Sequence, residues 1–280
     1  MAESLPELSV IVATRDRAER LAECLAALDE AWAVVQVPWE VILVDNASTD
    51  HTAEVARDFA LQASYPVIVL GEPRPGLSHA RNAGAAASHS SWLAFTDDDC
   101  LVDPHWLRAL RAAVAERPRL EVIGGRVDLA DPRDLSTSTR LFPDAVEIAD
   151  IDTLMGRMIG CNLAIRADLF QALGGFDPRL GAGTPAGSAE DLDLLYRALR
   201  GGAVMRYEPT VSLRHAHGRR GEVQKRKLAK AYTRGRGAFL AKQSLRGDSI
   251  MFRRLYWELR TPGEGRIWLL QGFFGRLFGR

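Results

Sequence analysis

Cysteine is scarce in this chain: Cys24, Cys100 and Cys161 are the only three among 280 residues. They form no C-x-x-C pair and no Cys/His spacing of the zinc kind, which argues against a disulfide framework or a structural zinc. Long apolar runs are missing as well, and none approaches the roughly 20 residues a membrane-crossing helix needs. No G-x-G-x-x-G follows the first apolar run, so a dinucleotide dehydrogenase is a poor fit. A Gly-rich phosphate loop with a lysine is also absent near the N-terminus, where a nucleotidyltransferase would usually carry one; Thr14-Arg15-Asp16-Arg17 stands there instead. The N-terminus is acidic, with Glu3 and Glu7, and does not read as a signal peptide. A cytoplasmic location is the expectation.

Net charge is missing only through cancellation. Of the 36 basic and 36 acidic residues, residues 222–280 hold 14 basic and 4 acidic ones, a net of +10, and residues 1–221 carry the balancing −10. The expected organisation is therefore an acidic body over 1–221 and a basic, aromatic helical extension over 222–280. A hydrophobic fraction of 47% beside 26% charged residues suits a folded α/β body rather than disorder.

The body alternates strand and helix signals. Leu8–Val12, Glu40–Val44, Val67–Leu70 and Trp92–Phe95 are short apolar runs rich in β-branched and aromatic residues. Between them lie a helical spacing of Leu21, Cys24, Leu25 and Leu28, a capped helix from Thr52, and a small-residue helix over 80–87. That rhythm predicts a single, mostly parallel central sheet flanked by helices. A further strand is expected at 123–127, a loop-rich insertion at 131–153, and helices at 167–173 and 190–199 ended by glycines.

In such sheets ligands bind at the carboxyl ends of the strands. The polar clusters Thr14-Arg15-Asp16, Asp45-Asn46 and Asp97-Asp98-Asp99 all fall there. Three adjacent carboxylates repel one another unless a cation or hydrogen-bond donors offset the charge. Mg2+ or Mn2+ prefers such oxygen ligands together with substrate phosphates. Alternation along extended chain sends Asp97 and Asp99 one way and Asp98 the other. Arg81 follows a Pro/Gly loop near a helix start, a place suited to an anion. Glu190-Asp191 begins a helix after a glycine-rich loop, so one carboxylate can act as general base. His215 and His217 share one face of a strand-like run and offer metal ligands. Each cluster also has a plain structural reading: a solvated acidic turn, an Asx-turn, a surface arginine, acids favoured by a helix dipole, a packed histidine.

Taken together, the sequence resembles the family 2 glycosyltransferases. The matching stretches are SVIVATRDR, VILVDNASTD, GLSHARNAGAA, LAFTDDDC, IGCNLAIRADLF, GGFDPRLG, EDLDLLYR and HAH, in order from residue 9 to residue 217. The resemblance implies a GT-A fold and transfer, with inversion, of a sugar from a nucleotide-diphosphate sugar to an acceptor hydroxyl. It implies that Thr14, Arg15, Asp45, Arg81, Asp97 and Asp98 bind the donor nucleotide and that Asn162 faces the donor sugar or acceptor. Asp99 and His215 would hold Mn2+ or Mg2+, with Asp97 and His217 as further candidates. Asp191 would be the base and Glu190 its orienting partner. The acceptor class stays open among glycan, lipid-linked and small-molecule hydroxyls, and a non-catalytic sugar-nucleotide-binding module remains an alternative.

Beyond residue 221, Lys225-Arg226-Lys227 and Arg253-Arg254 alternate with Phe252, Tyr256 and Trp257. Basic residues beside aromatics suit a peripheral membrane surface, while packing on the body or on a second subunit is the plainer reading. The acidic body speaks against nucleic acid.

Overall fold

Four apolar runs, each closed by polar residues, become parallel strands: β1 (Leu8–Thr14), β2 (Trp39–Asp45), β3 (Val67–Gly71) and β4 (Trp92–Asp97). The structure is a computed structural model that describes residues 7–35, 38–260 and 265–278. The expectations for Glu3, for the outermost ends of the two segments and for the side chains of Arg276, Leu277 and Phe278 lie outside the described residues. The crossovers are the helices α1 (Ala18–Val34), α2 (Thr52–Gln62) and α3 (Leu77–Ala87). Period two along β1 sends Val10 and Val12 into one hydrophobic core and Ile11 and Ala13 into another, so the sheet is buried on both faces.

The second half interleaves with the first. Its strands are β5 (Cys100–Val102), β6 (Val122–Leu129), β7 (Val146–Glu147), β8 (Asn162–Arg166) and β9 (Met205–His215). The helices α4 (Trp106–Glu116), α5 (Ile151–Arg157), α6 (Ala167–Ala172) and α7 (Glu190–Arg200) connect them. The strand order is β3-β2-β1-β4-β8-β6-β9-β5, with β7 on β9. β8 runs antiparallel between β4 and β6, whereas β6 and β9 are parallel. The α/β sheet flanked by helices is as expected; the antiparallel insertion is the part the repeating strand–helix pattern could not reveal.

Three helices follow: α8 (Gly221–Leu245), α9 (Ser249–Arg260) and α10 (Gly265–Phe278). The second half of α8 docks on the body. Phe239 stacks edge-on against Tyr196 of α7 at 5.4 Å, within a cluster that also holds Leu240, Met251, Leu255 and Leu269. Lys242 is buried and pairs with Asp193 at 2.7 Å and Asp177 at 2.9 Å, while Gln243 donates to Asp193. The backbones of α8 and α10 nearly touch. A Cβ at Gly272 would fall 1.8 Å from the Arg234 carbonyl oxygen, so no side chain fits there. The basic segment is thus helical, as expected, and is packed against the acidic body. No helix among the described residues is long and apolar enough to cross a membrane.

Candidate active site

The ends of β1 and β4 and the start of α7 open onto a cleft of about 360 Å³. Thr14, Arg15, Arg17, Arg81, Asp97, Asp98, Asp99, Glu190, Asp191 and His215 all line it. The parallel sheet accounts for the first group: β1 and β4 pair in register, so Ala13 lies beside Asp97 and the following residues of both strands leave the sheet together.

The strand ends at Asp97, and Asp98 and Asp99 fall in a turn where alternation no longer applies: all three line the cleft, and Asp98 and Asp99 share Arg17. Asp98 turns to Thr14, accepting its hydroxyl at 2.8 Å, and to Arg17 at 3.1 Å. Burial pushes the Asp98 carboxyl up to about 6, against the pull of Arg17. Asp99 accepts from Arg17 at 2.6 Å and pairs with His215 Nε2 at 3.0 Å. Burial opposes its charge, but the His215 and Arg17 contacts prevail and hold its carboxyl well below the usual range. His215 lies opposite Cys100 in the β5–β9 ladder. Burial would lower its pKa, yet the Asp99 bond and the neighbouring Cys161 and Asp97 lift it to about 9.

Carboxylate oxygens of Asp97 and Asp99, the Cys100 sulfur and a His215 nitrogen lie within 4.8 Å of one another. His215 Nδ1 is buried and has no hydrogen-bond partner. Oxygen and imidazole donors at this spacing fit a divalent cation, and one nitrogen of the same ring lacks any other partner. Cys100 was not foreseen here; it ends the LAFTDDDC stretch, so adjacency to the triplet was the available signal.

Arg81 ties this cluster to α7. Its guanidinium is 1% exposed and reaches Asp97 at 2.5 Å and Glu190 at 3.1 Å. Asp191 turns its carboxylate to two backbone amides, with Gly160 N–H donating at 2.8 Å and Leu192 N–H at 2.7 Å. A carboxylate has about four acceptor positions, so two bonds orient it and leave capacity for an incoming hydroxyl. Gly160 has to lack a side chain, because a Cβ there would stand 2.9 Å from that of Asp191. Just before Glu190, Ala189 adopts φ +75°, a left-handed conformation that costs an alanine energy and is found where a site demands it.

Glu190 is buried. Burial and then the adjacent Asp191 charge push its carboxyl up to about 7, against Arg81. A carboxyl raised from its ordinary 4.5 contributes its full stability below that pH and loses it as pH climbs through 7. Glu190→Gln cannot ionise and escapes the loss. Its Tm relative to the parent should therefore rise between about pH 5 and about pH 8, by roughly 5 °C. A difference that stays flat or falls over that range would contradict the assignment.

Three of the expected residues stand elsewhere. Asn162 is buried and does not line the cleft: its amide accepts from Trp106 Nε1 and donates to the Arg126 and Val211 carbonyls, so its bonding capacity is used in joining strands. The structure thus places Asn162 among the strands and away from the cleft where a donor-sugar or acceptor contact was expected. His217 packs edge-on to His215 at 4.8 Å. Its Nε2 bonds the Leu135 carbonyl and its Nδ1 accepts from Arg219 N–H, which leaves neither nitrogen for a metal. Asp45 sits beside Thr14 at the end of β2, half-buried, and its Oδ1 accepts from Ser48 N–H outside the cleft lining.

Two contributions were not foreseen. Arg17, at the end of the T-R-D-R run, is the cation shared by Asp98 and Asp99. The helix α8 also forms part of the cleft through Leu228, Ala231 and Tyr232. Ser188 Oγ donates to the Ala231 carbonyl at 3.1 Å, so α8 holds the loop that leads into Glu190-Asp191. Tyr232 and Ser138 hydroxyls meet at 3.3 Å, joining α8 to the 131–153 insertion.

Fold and site together define an α/β protein of the GT-A type, with an acidic cluster at the carboxyl ends of its parallel strands. The chain belongs to glycosyl transferase family 2, whose model matches residues 9–174. It is 28% identical over 185 residues to the glycosyltransferase AglE of Haloferax volcanii, covering 65% of this chain and 60% of that one. It is 26% identical over 219 residues to the pre-mycofactocin glycosyltransferase of Mycobacterium tuberculosis, covering 75% of this chain and 43% of that one. The matches thus span less than two thirds of these relatives' length. Among solved structures it resembles the mannosyltransferase PcManGT of Pyrobaculum calidifontis in complex with GDP-Man and Mn2+, with TM-score 0.65 and 17% identity over 99% of this chain and 88% of that one. A fragment of S. aureus TarS in complex with UDP-GlcNAc gives TM-score 0.66 at 17% identity, covering 98% and 73%. At such identity the likeness shows a shared fold.

Proposed function

We propose that this chain is an inverting glycosyltransferase that moves a sugar from a nucleotide-diphosphate sugar to an acceptor hydroxyl, with Asp191 as general base. The observation that carries the reading is the single cleft in which a cation-binding donor set and an oriented, partly free carboxylate are joined by one buried arginine. Family membership and relatives named as glycosyltransferases support it. So do fold neighbours solved with GDP-Man and Mn2+ or with UDP-GlcNAc.

Asp99 and His215, with Asp97 beside them, would hold Mn2+ or Mg2+, and Thr14, Arg15 and Asp98 would face the nucleotide. The cation supplies charge neutralisation to the departing diphosphate. Arg81 fixes the Asp97 and Glu190 carboxylates relative to each other. Asp191, aimed by the Gly160 and Leu192 amides, takes the proton of the acceptor hydroxyl as its oxygen attacks the sugar carbon. The carbon–oxygen bond to the diphosphate breaks on the far side. One displacement with one base requires no covalent enzyme intermediate, hence inversion.

Release of nucleoside diphosphate from a panel of UDP-, GDP- and dTDP-sugars tests this. Turnover of at least one donor that is lost on chelation supports the reading. Binding without turnover across the panel would support a non-catalytic sugar-nucleotide-binding module instead, and neither turnover nor binding would contradict the reading. A peripheral membrane contact is part of the proposal, because α9 exposes Phe252, Tyr256 and Trp257 beside Arg253. Co-sedimentation with phosphatidylglycerol vesicles but not phosphatidylcholine ones is expected, and sedimentation with neither would sink that part.

A further inference from the structure

Both oxygens of the Asp99 carboxylate are engaged: Oδ1 by His215 Nε2 at 3.0 Å and Oδ2 by Arg17 Nη1 at 2.6 Å. The same Arg17 nitrogen also reaches Asp98 Oδ1 at 3.1 Å. Each oxygen keeps a second acceptor position, but a divalent cation at bonding distance from Asp99 would stand against the donors already seated there, and repulsion favours the withdrawal of one of them. His215 cannot easily yield, because it is 5% exposed and paired in register with Cys100 in the sheet. Arg17 can. Its side chain is 39% exposed on a long, flexible stem. Its backbone, by contrast, is anchored, since Arg17 N–H donates to Thr52 Oγ1 at 2.9 Å. The guanidinium can therefore swing while its Cα stays at the rim of the cleft.

Resting on the metal-dependent reading above, we propose that Arg17 is a displaceable counter-ion that competes with the divalent cation for Asp99. Its charge holds Asp98 and Asp99 together against their mutual repulsion. A cation arriving at Asp99 meets the guanidinium charge and drives it off, so the contact weakens cation binding. Once displaced, the guanidinium remains in a cleft that receives a diphosphate, an anion matched to its planar fork. Donor binding then rewards the release of Arg17, and cation and donor affinities become coupled through this one side chain. Arg17 is on this account a positioning residue that sets the order of loading.

The test is Mn2+ affinity by electron paramagnetic resonance with neither donor nor acceptor present, for the parent, Arg17→Ala, Arg17→Lys and Asp99→Asn. Arg17→Ala is expected to bind Mn2+ about tenfold more tightly than the parent, with Arg17→Lys near the parent. In the same assay the tightening of Mn2+ by added UDP or GDP should shrink in Arg17→Ala. Equal or weaker Mn2+ binding by Arg17→Ala overturns the proposal. Asp99→Asn separates the two levels of inference: if it binds Mn2+ as the parent does, the cation site itself has been misplaced. Should Arg17→Ala fail to fold, Arg17→Gln removes the charge with a longer stem and carries the same expectation.

Discussion

Asp191→Asn is expected to lower kcat by about 10²- to 10⁴-fold while changing donor affinity by less than about twofold. An amide has almost no basicity, so the acceptor hydroxyl loses the group that takes its proton. The side chain would keep one of its two backbone contacts, since an amide oxygen can accept from Gly160 or Leu192 but its nitrogen cannot. Part of its orienting role therefore survives, and the loss falls mainly on chemistry. Glu190 is a poor substitute by position rather than by basicity, because its carboxylate is held by Arg81. Steady-state kinetics beside isothermal titration with the nucleoside diphosphate separates the two quantities. A variant that turns over like the parent means that the base lies elsewhere, and a loss confined to donor binding would reassign Asp191 to the donor.

The second large effect concerns stability. Lys242→Met is expected to destabilise the protein by about 3–5 kcal/mol, the range for removing one partner of a buried ion pair. Methionine preserves much of the volume, so the loss reports charge rather than a cavity. Asp193 is fully buried and would retain Arg197 and Gln243; Asp177 would retain Arg179. These remaining partners place the expected cost at the lower end of the range, about a 6–12 °C fall in Tm. Because α8 also lines the cleft, activity should fall together with Tm. Pairing Lys242→Met with Asp193→Asn should cost less than the sum of the single changes, since the second change removes the stranded charge. An unchanged Tm would mean that the helices after residue 221 are not fastened to the body through this lysine.

The first half of the fold was readable from the chain because its signals are local. Each of the first four strands is a short apolar run, and each ends in residues no strand interior would favour, so the rim and its acids followed from position alone. The second half depends on long-range pairing. Asn162–Arg166 is only five residues long, and nothing in its composition says that it lies antiparallel between β4 and β6. The helix at 106–116 does carry a local period in Trp106, Leu107, Leu110 and Ala113, all buried. In the tail, composition pointed outward to a membrane while Gly237 and Gly272 marked where α8 and α10 press together. Within the site, the triplet, Arg81, Glu190-Asp191 and His215 line one cleft. Arg17 escaped notice because its role depends on how two carboxylates fold back toward the start of α1. Asn162 and His217 carry plausible ligand chemistry, but buried backbone groups have first claim on both.

The central claim is that a divalent cation and the donor diphosphate meet at Asp99 and His215, within reach of Asp191. Crystals grown with Mn2+ and a nucleoside diphosphate, measured at a wavelength where manganese scatters anomalously, test it directly. The account predicts one strong anomalous peak bonded to the Asp99 carboxylate and the His215 ring, with diphosphate oxygens completing its shell and Arg17 drawn off Asp99. A manganese peak at another site, or a diphosphate bound with Arg17 still seated on Asp99, would contradict it.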